Sequence, residues 1–158
     1  MISAAQVIYD NTIHNLSIAQ ILEHLRATIP YPCSVTEWQG YSTVIPQIRV
    51  ETNVPMTIQI EDDPDYVPEE IEEMAETAVD YFDSATVALI RECRCRLEVM
   101  SVTPARIEGD ERSISVYAET DLDPETPDVR QVLSALAKIT GGYIYDCVNG
   151  RWMALSVR

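Results

Sequence analysis

The sequence predicts an α+β fold, a mainly antiparallel sheet with helices packed on one face, in a single domain spanning residues 1–158. Three observations lead there. Apolar residues recur at helical spacing in separate stretches, other short runs alternate at period two, and the order strand-helix-strand occurs twice. The two units run from Met56 to Val99 and from Ile114 to Tyr145, each with an acidic, Pro-containing loop before its helix. They suggest a βαββαβ-like layer, extended by an N-terminal helix and a C-terminal hairpin.

The first helix is expected from Ser17, with Gln20 three residues on completing a capping box. Ile18, Ile21, Leu22, Leu25 and Ile29 give it one apolar side, and Pro30-Tyr31-Pro32 ends it. Strand-like runs follow at Val35–Trp38, Gln47–Val50 and Met56–Ile60, the last with Met56, Ile58 and Ile60 on one face. A loop at Glu61–Asp65 leads to a helix after Pro68, with Ile71, Met74, Ala75, Ala78 and Phe82 inside, and Ser84 marks a restart or bend. Cys93–Val99 reads as a strand with Cys95, Leu97 and Val99 inward, and Ile114–Ala118 as another. Thr126 and Pro127 cap a helix whose apolar side is Val129, Val132, Leu133, Leu136 and Ile139, stopped by Gly141. Tyr143–Cys147, Asn149-Gly150 and Trp152–Leu155 form the hairpin, on the strength of a two-residue turn signal.

Bulk properties narrow the class. Four scattered cysteines, Cys33, Cys93, Cys95 and Cys147, make no disulfide framework. Residues Met1–Gln6 contain neither a basic leader nor an apolar core, and no apolar run reaches membrane-spanning length, so a cytoplasmic protein is expected. Eleven basic residues against 26 acidic ones argue against nucleic acid or membrane as partner.

No catalytic motif emerges, and the chain is expected not to be an enzyme and to carry no cofactor or metal. Cys93-x-Cys95 lacks paired ligands for zinc and the two-residue spacing of a redox pair, so strand-core thiols are the better reading. Asp121-x-Asp123-x-Glu125 and Asp62, Asp63 and Asp65 resemble fragments of calcium loops. Thr126 stands where an EF-hand needs glycine and Pro124 intrudes, so solvated loops entering helices explain both. His14 and His24 are the only histidines, and His24 lies within a helical pattern beside Glu23. The chain contains neither a Gly-rich phosphate loop nor a serine elbow.

The dominant feature is electrostatic. Between Glu61 and Asp83 the chain carries eleven carboxylates and no Lys or Arg, against a net charge of -15 overall. A face under no other demand would mix in lysines for pairing. Asp62, Asp63, Asp65, Glu69, Glu72, Glu73, Glu76 and Asp80, with Tyr66 and Tyr81 as aromatic anchors, are therefore the candidate partner-binding residues.

Two segments, Met56-Thr57-Ile58-Gln59-Ile60-Glu61-Asp62-Asp63-Pro64-Asp65-Tyr66-Val67-Pro68-Glu69-Glu70 and Leu136-Ala137-Lys138-Ile139-Thr140-Gly141-Gly142-Tyr143-Ile144-Tyr145-Asp146, resemble small bacterial immunity proteins of polymorphic toxin systems. The resemblance implies a cytosolic, non-catalytic inhibitor that binds one cognate toxin, and it transfers no contact residue. The expected partner is a basic protein, a cognate toxin. An acidic secretion chaperone or adaptor is the alternative; such proteins usually dimerise and end with a helix, whereas a hairpin is expected here. The sequence is compatible with a homodimer.

Overall fold

The computed structural model describes residues 3–11, 15–39, 44–102 and 122–153. Their elements are β1 (Ser3–Tyr9), α1 (Ile18–Thr28), β2 (Cys33–Gln39), β3 (Val44–Val50), β4 (Met56–Glu61), α2 (Val67–Ala78), α3 (Ser84–Glu92), β5 (Cys95–Ser101), α4 (Pro127–Thr140), β6 (Tyr143–Asp146) and β7 (Arg151–Met153). The fold is α+β. Seven strands make one sheet in the order β2-β3-β4-β5-β1-β6-β7, and every neighbouring pair is antiparallel.

Two expectations about the architecture are corrected. The chain does not begin with a helix: β1 precedes α1 and sits in the middle of the sheet, between β5 and β6. Its residues Ser-Ala-Ala-Gln-Val-Ile-Tyr lack clean alternation because both faces of a central strand are covered. Val7 and Tyr9 enter one core, and Ile8 enters another.

Helices also pack on both faces of the sheet, not on one. α1 and α4 cover the side carrying Val7, Leu97, Val99, Ile58 and Ile144. α2 and α3 cover Ile8 and Trp152 on the reverse side, burying Val67, Ile71, Ala75, Ala78, Val87 and Ile90. A strand apolar on both sides requires both layers.

Local signals explain most boundaries. Ser17 Oγ accepts from the Gln20 amide at 3.2 Å and Gln20 Oε1 accepts from the Ser17 amide at 2.9 Å, the reciprocal box that starts α1. α2 and α3 are separate helices because Asp83 caps the second, its Oδ1 accepting from the Thr86 amide at 2.8 Å. That hydrogen bond holds the Asp83 carboxyl below the usual carboxylate range. Gly141 ends α4 at φ 67°, a left-handed conformation suited to glycine. Thr126 precedes Pro127 as expected, but its hydroxyl donates to the Asp123 carbonyl at 2.8 Å instead of capping the helix.

The hairpin of β6 and β7 is present with a longer turn than expected. Asp146 pairs with Arg151, leaving residues 147–150 in the loop. The fully buried Asp146 carboxylate organises it, accepting from the Val148 and Asn149 amides at 3.0 Å each and from Asn149 Nδ2 at 2.7 Å. The expected strand Ile114–Ala118 lies outside the described residues, so only the first strand-helix-strand unit, β4 to β5, is described in full.

Candidate functional site

The acidic surface follows from the phase of α2. Val67, Ile71, Ala75 and Ala78 are buried and Met74 is half-buried. Glu69, Glu73 and Glu76 recur at spacings of four and three, so they rise in one stripe on the opposite side, with Glu72 beside them and Asp80 in the turn after the helix. All five are exposed, as are Asp62, Asp63 and Asp65 in the loop that enters the helix. Part of that loop is locally structural. Asp63 Oδ1 accepts from the Asp65 amide at 2.9 Å, and the Asp63 carbonyl accepts from the Val67 amide at 3.0 Å. The Asp123 carboxylate makes the same turn with the Glu125 amide at 3.0 Å ahead of α4, while Asp121 of that calcium-like fragment lies outside the described residues.

The run is not left wholly without countercharge. Arg91 of α3 lies 3.4 Å from Glu72, both of them half-exposed. Arg96 of β5, with only 6% of its side chain exposed, reaches three carboxylates. Its Nη2 lies 2.8 Å from Glu61 Oε2 and 3.5 Å from Glu98 Oε1, while Nη1 pairs with Glu70 on the first turn of α2. The Tyr66 ring lies over the guanidinium with its centroid 5.8 Å away, and the Tyr66 hydroxyl donates to Glu61 Oε2 at 3.4 Å.

This cluster carries three carboxylates on one cation. Burial, then the adjacent Glu61 carboxyl, push the Glu98 carboxyl up to about 7 against the opposing pull of Arg96. Burial alone disfavours the charge on Arg96, but the hydrogen bonds it donates to Glu61 and Glu70 and the field of Glu98 outweigh it, so its pKa rises. Burial and the nearby Glu61 carboxylate also raise the Tyr66 phenol. Glu61, Glu70, Arg96 and Glu98 were not among the sequence candidates. Glu61 and Glu70 were visible within the acidic run, but their partner lies 35 and 26 residues away, and only the pairing of Glu61 with Arg96 across β4 and β5 joins them.

The two aromatic candidates are not brought together. Tyr66 stands at the N-terminal end of α2, over Arg96. Tyr81 follows its C-terminal end, 50% exposed, and lines a recess of about 260 Å³ with Glu125, Arg130, Arg151, Trp152 and Met153. A twelve-residue helix, about 18 Å long, separates them. Val79 and Leu89 are also exposed, at 58% and 53%, on the same helical layer.

Among the described residues no group of three or more His, Cys, Asp or Glu could hold a metal ion. No helix among them is long and apolar enough to cross a membrane. Comparison with protein-family models, with curated proteins and with solved structures finds no match to this chain.

Proposed function

We propose that this chain is a non-catalytic binding protein of the immunity type, which neutralises a cognate bacterial toxin in the cytoplasm by covering a basic surface of it. The contact surface is the outer stripe of α2 with the loop before it and the turn after it: Asp62, Asp65, Glu69, Glu73, Glu76 and Asp80, with Tyr66 at one end. One observation carries this reading. All six acids are exposed, and no ion pair to any of them is found among the described residues. Repulsion along such a stripe costs stability, and a cationic partner relieves it while being steered in at long range.

The test is a calorimetric titration with the product of an adjacent toxin-like gene, repeated as salt is raised. Affinity is expected to fall with salt and to drop by at least about tenfold when Glu73 and Glu76 are changed to Lys. Glu72→Lys is a less clean probe because it also breaks the Arg91 pair. Affinity indifferent both to salt and to charge reversal would sink the proposal.

A further inference from the structure

We propose that the Glu61–Glu98 carboxyl pair acts as a proton-operated latch on the acidic surface: with one proton between them, Arg96 holds the first turn of α2 and Tyr66 on the sheet, and its loss loosens them. The regulatory meaning of the latch rests on the binding reading above; the latch itself does not.

The geometry is a convergence of charge on one nitrogen. Glu61 and Glu98 approach the same Nη2 of Arg96 at 2.8 and 3.5 Å, and their side chains are only 16% and 13% exposed. Gln59 lies opposite Glu98 in the β4–β5 ladder, so Glu61 is its diagonal neighbour on one face. With Glu70 on Nη1, full ionisation would set three negative charges against one positive, in a place where water screens poorly. One proton relieves this most simply. Gln6, directly opposite Glu98 on β1, has a buried Oε1 with no hydrogen-bond donor among the described residues, a demand that a neutral carboxyl on the facing strand can meet and a carboxylate cannot, although the Ser3 hydrogen bond to Glu98 pulls the other way.

The groups facing the pair come from every element around it. β4 brings Glu61, β5 brings Arg96 and Glu98, α2 brings Glu70, and the entering loop brings Tyr66 and Asp63. β1 supplies the neutral Ser3 and Gln6, and the turn after β6 brings Cys147, with Asp146 behind it. Burial, with Glu98 and Asp146 nearby, pushes the Cys147 thiol up to about 12, and Tyr66 is likewise pushed up, so neither loses a proton near neutrality. Glu98 is thus the titrating member of the pair.

The mechanical link is short. Glu70 and Tyr66 both bind the Arg96–Glu61 unit, and both flank the start of α2. When the second carboxylate of the pair becomes charged, three anions compete for one guanidinium, and the half-exposed Glu70 is the one free to leave. The end of the acidic stripe then detaches from the sheet. A partner that needs Tyr66 in place would meet an ordered surface below neutrality and a looser one above it.

Hydrogen–deuterium exchange on the full chain tests this without any partner. The amides of Tyr66, Val67 and Glu70 are hydrogen-bonded to the Asp63 and Tyr66 carbonyls. Their protection, corrected for the intrinsic pH dependence of exchange, is expected to fall by roughly fivefold or more between about pH 6 and pH 8. Glu98→Gln, which keeps the shape and removes the titration, should hold the low-pH protection throughout. Unchanged protection in the natural chain, or the same fall in Glu98→Gln, overturns the latch. A carboxyl carbon titration of Glu98 in the natural chain supplies a reading that no variant can spoil: a midpoint near neutrality supports the latch, and an ordinary carboxylate midpoint overturns it. Toxin binding is judged by its own titration, so either idea can fail alone.

Discussion

The indole of Trp152 donates from Nε1 to Thr77 Oγ1 at 3.0 Å, joining β7 to the last turn of α2 across 75 residues. Phe82 and Tyr145 meet the same ring edge-on, with centroids 5.9 and 5.2 Å away. The outer helical layer is therefore pinned at one end by Trp152 and at the other by Arg96. Thr77→Val keeps the side-chain shape but leaves a buried N–H without an acceptor. Urea denaturation is expected to show a loss of about 1–2 kcal/mol, with the exposed neighbour Glu76→Gln within about 0.5 kcal/mol of the natural chain.

Replacing Arg96 strands its carboxylates. Arg96→Met should destabilise by about 3 kcal/mol or more, because Glu61 and Glu98 remain mostly buried without a counterion. Adding Glu98→Gln to Arg96→Met should restore part of that loss. If the two changes cost as much together as the sum of each alone, the charge-cluster account fails.

Stability should depend on pH through Glu98. Its carboxyl is raised from an ordinary 4.5 to about 7, so the folded state holds the proton more tightly than the unfolded state. That contribution is present in full below about pH 4.5 and is lost as pH rises through about 7; it amounts to roughly 1–3 kcal/mol. Denaturation midpoints for Glu98→Gln and the natural chain, compared near pH 5 and pH 8, isolate it. The variant should decline less between the two conditions.

Adjacent glycines should respond for different reasons. A Cβ on Gly142 would stand 2.5 Å from the Ile8 carbonyl oxygen and 3.0 Å from Tyr9 Cβ, so β1 itself must shift. Gly141 has open space around it but a φ of 67°. Gly142→Ala is expected to cost about 2–3 kcal/mol and Gly141→Ala about 1 kcal/mol, measured by thermal unfolding.

Where structure depends on near neighbours, the sequence was a good guide. Ser17 with Gln20 marked the start of α1, Gly141 the end of α4, and the alternation of Met56, Ile58 and Ile60 marked β4. The exposed phase of Glu69, Glu72, Glu73 and Glu76 was readable from helical spacing alone, whereas Asp80 falls in the turn beyond Ala78. β1 was not, because Ala4, Ala5, Val7 and Ile8 serve two cores and show neither period. The Arg96 cluster was hidden for another reason: ion pairing between β4 and β5 depends on strand register, which no local pattern of Glu61 or Arg96 encodes. The absence of basic residues from the acidic run thus overstated its isolation, since Arg91 and Arg96 come to it from the following helix and strand.

The place of β1 has a consequence for biosynthesis. β1 precedes both of the strands it bonds to, and residues 143–146 of β6 are synthesised well after β5. Until then one edge of the nascent sheet stays open, with backbone groups that any extended chain could pair. The growing chain is therefore open to misassociation in the interval between the synthesis of β5 and that of β6, when β1 is bonded along one edge and free along the other.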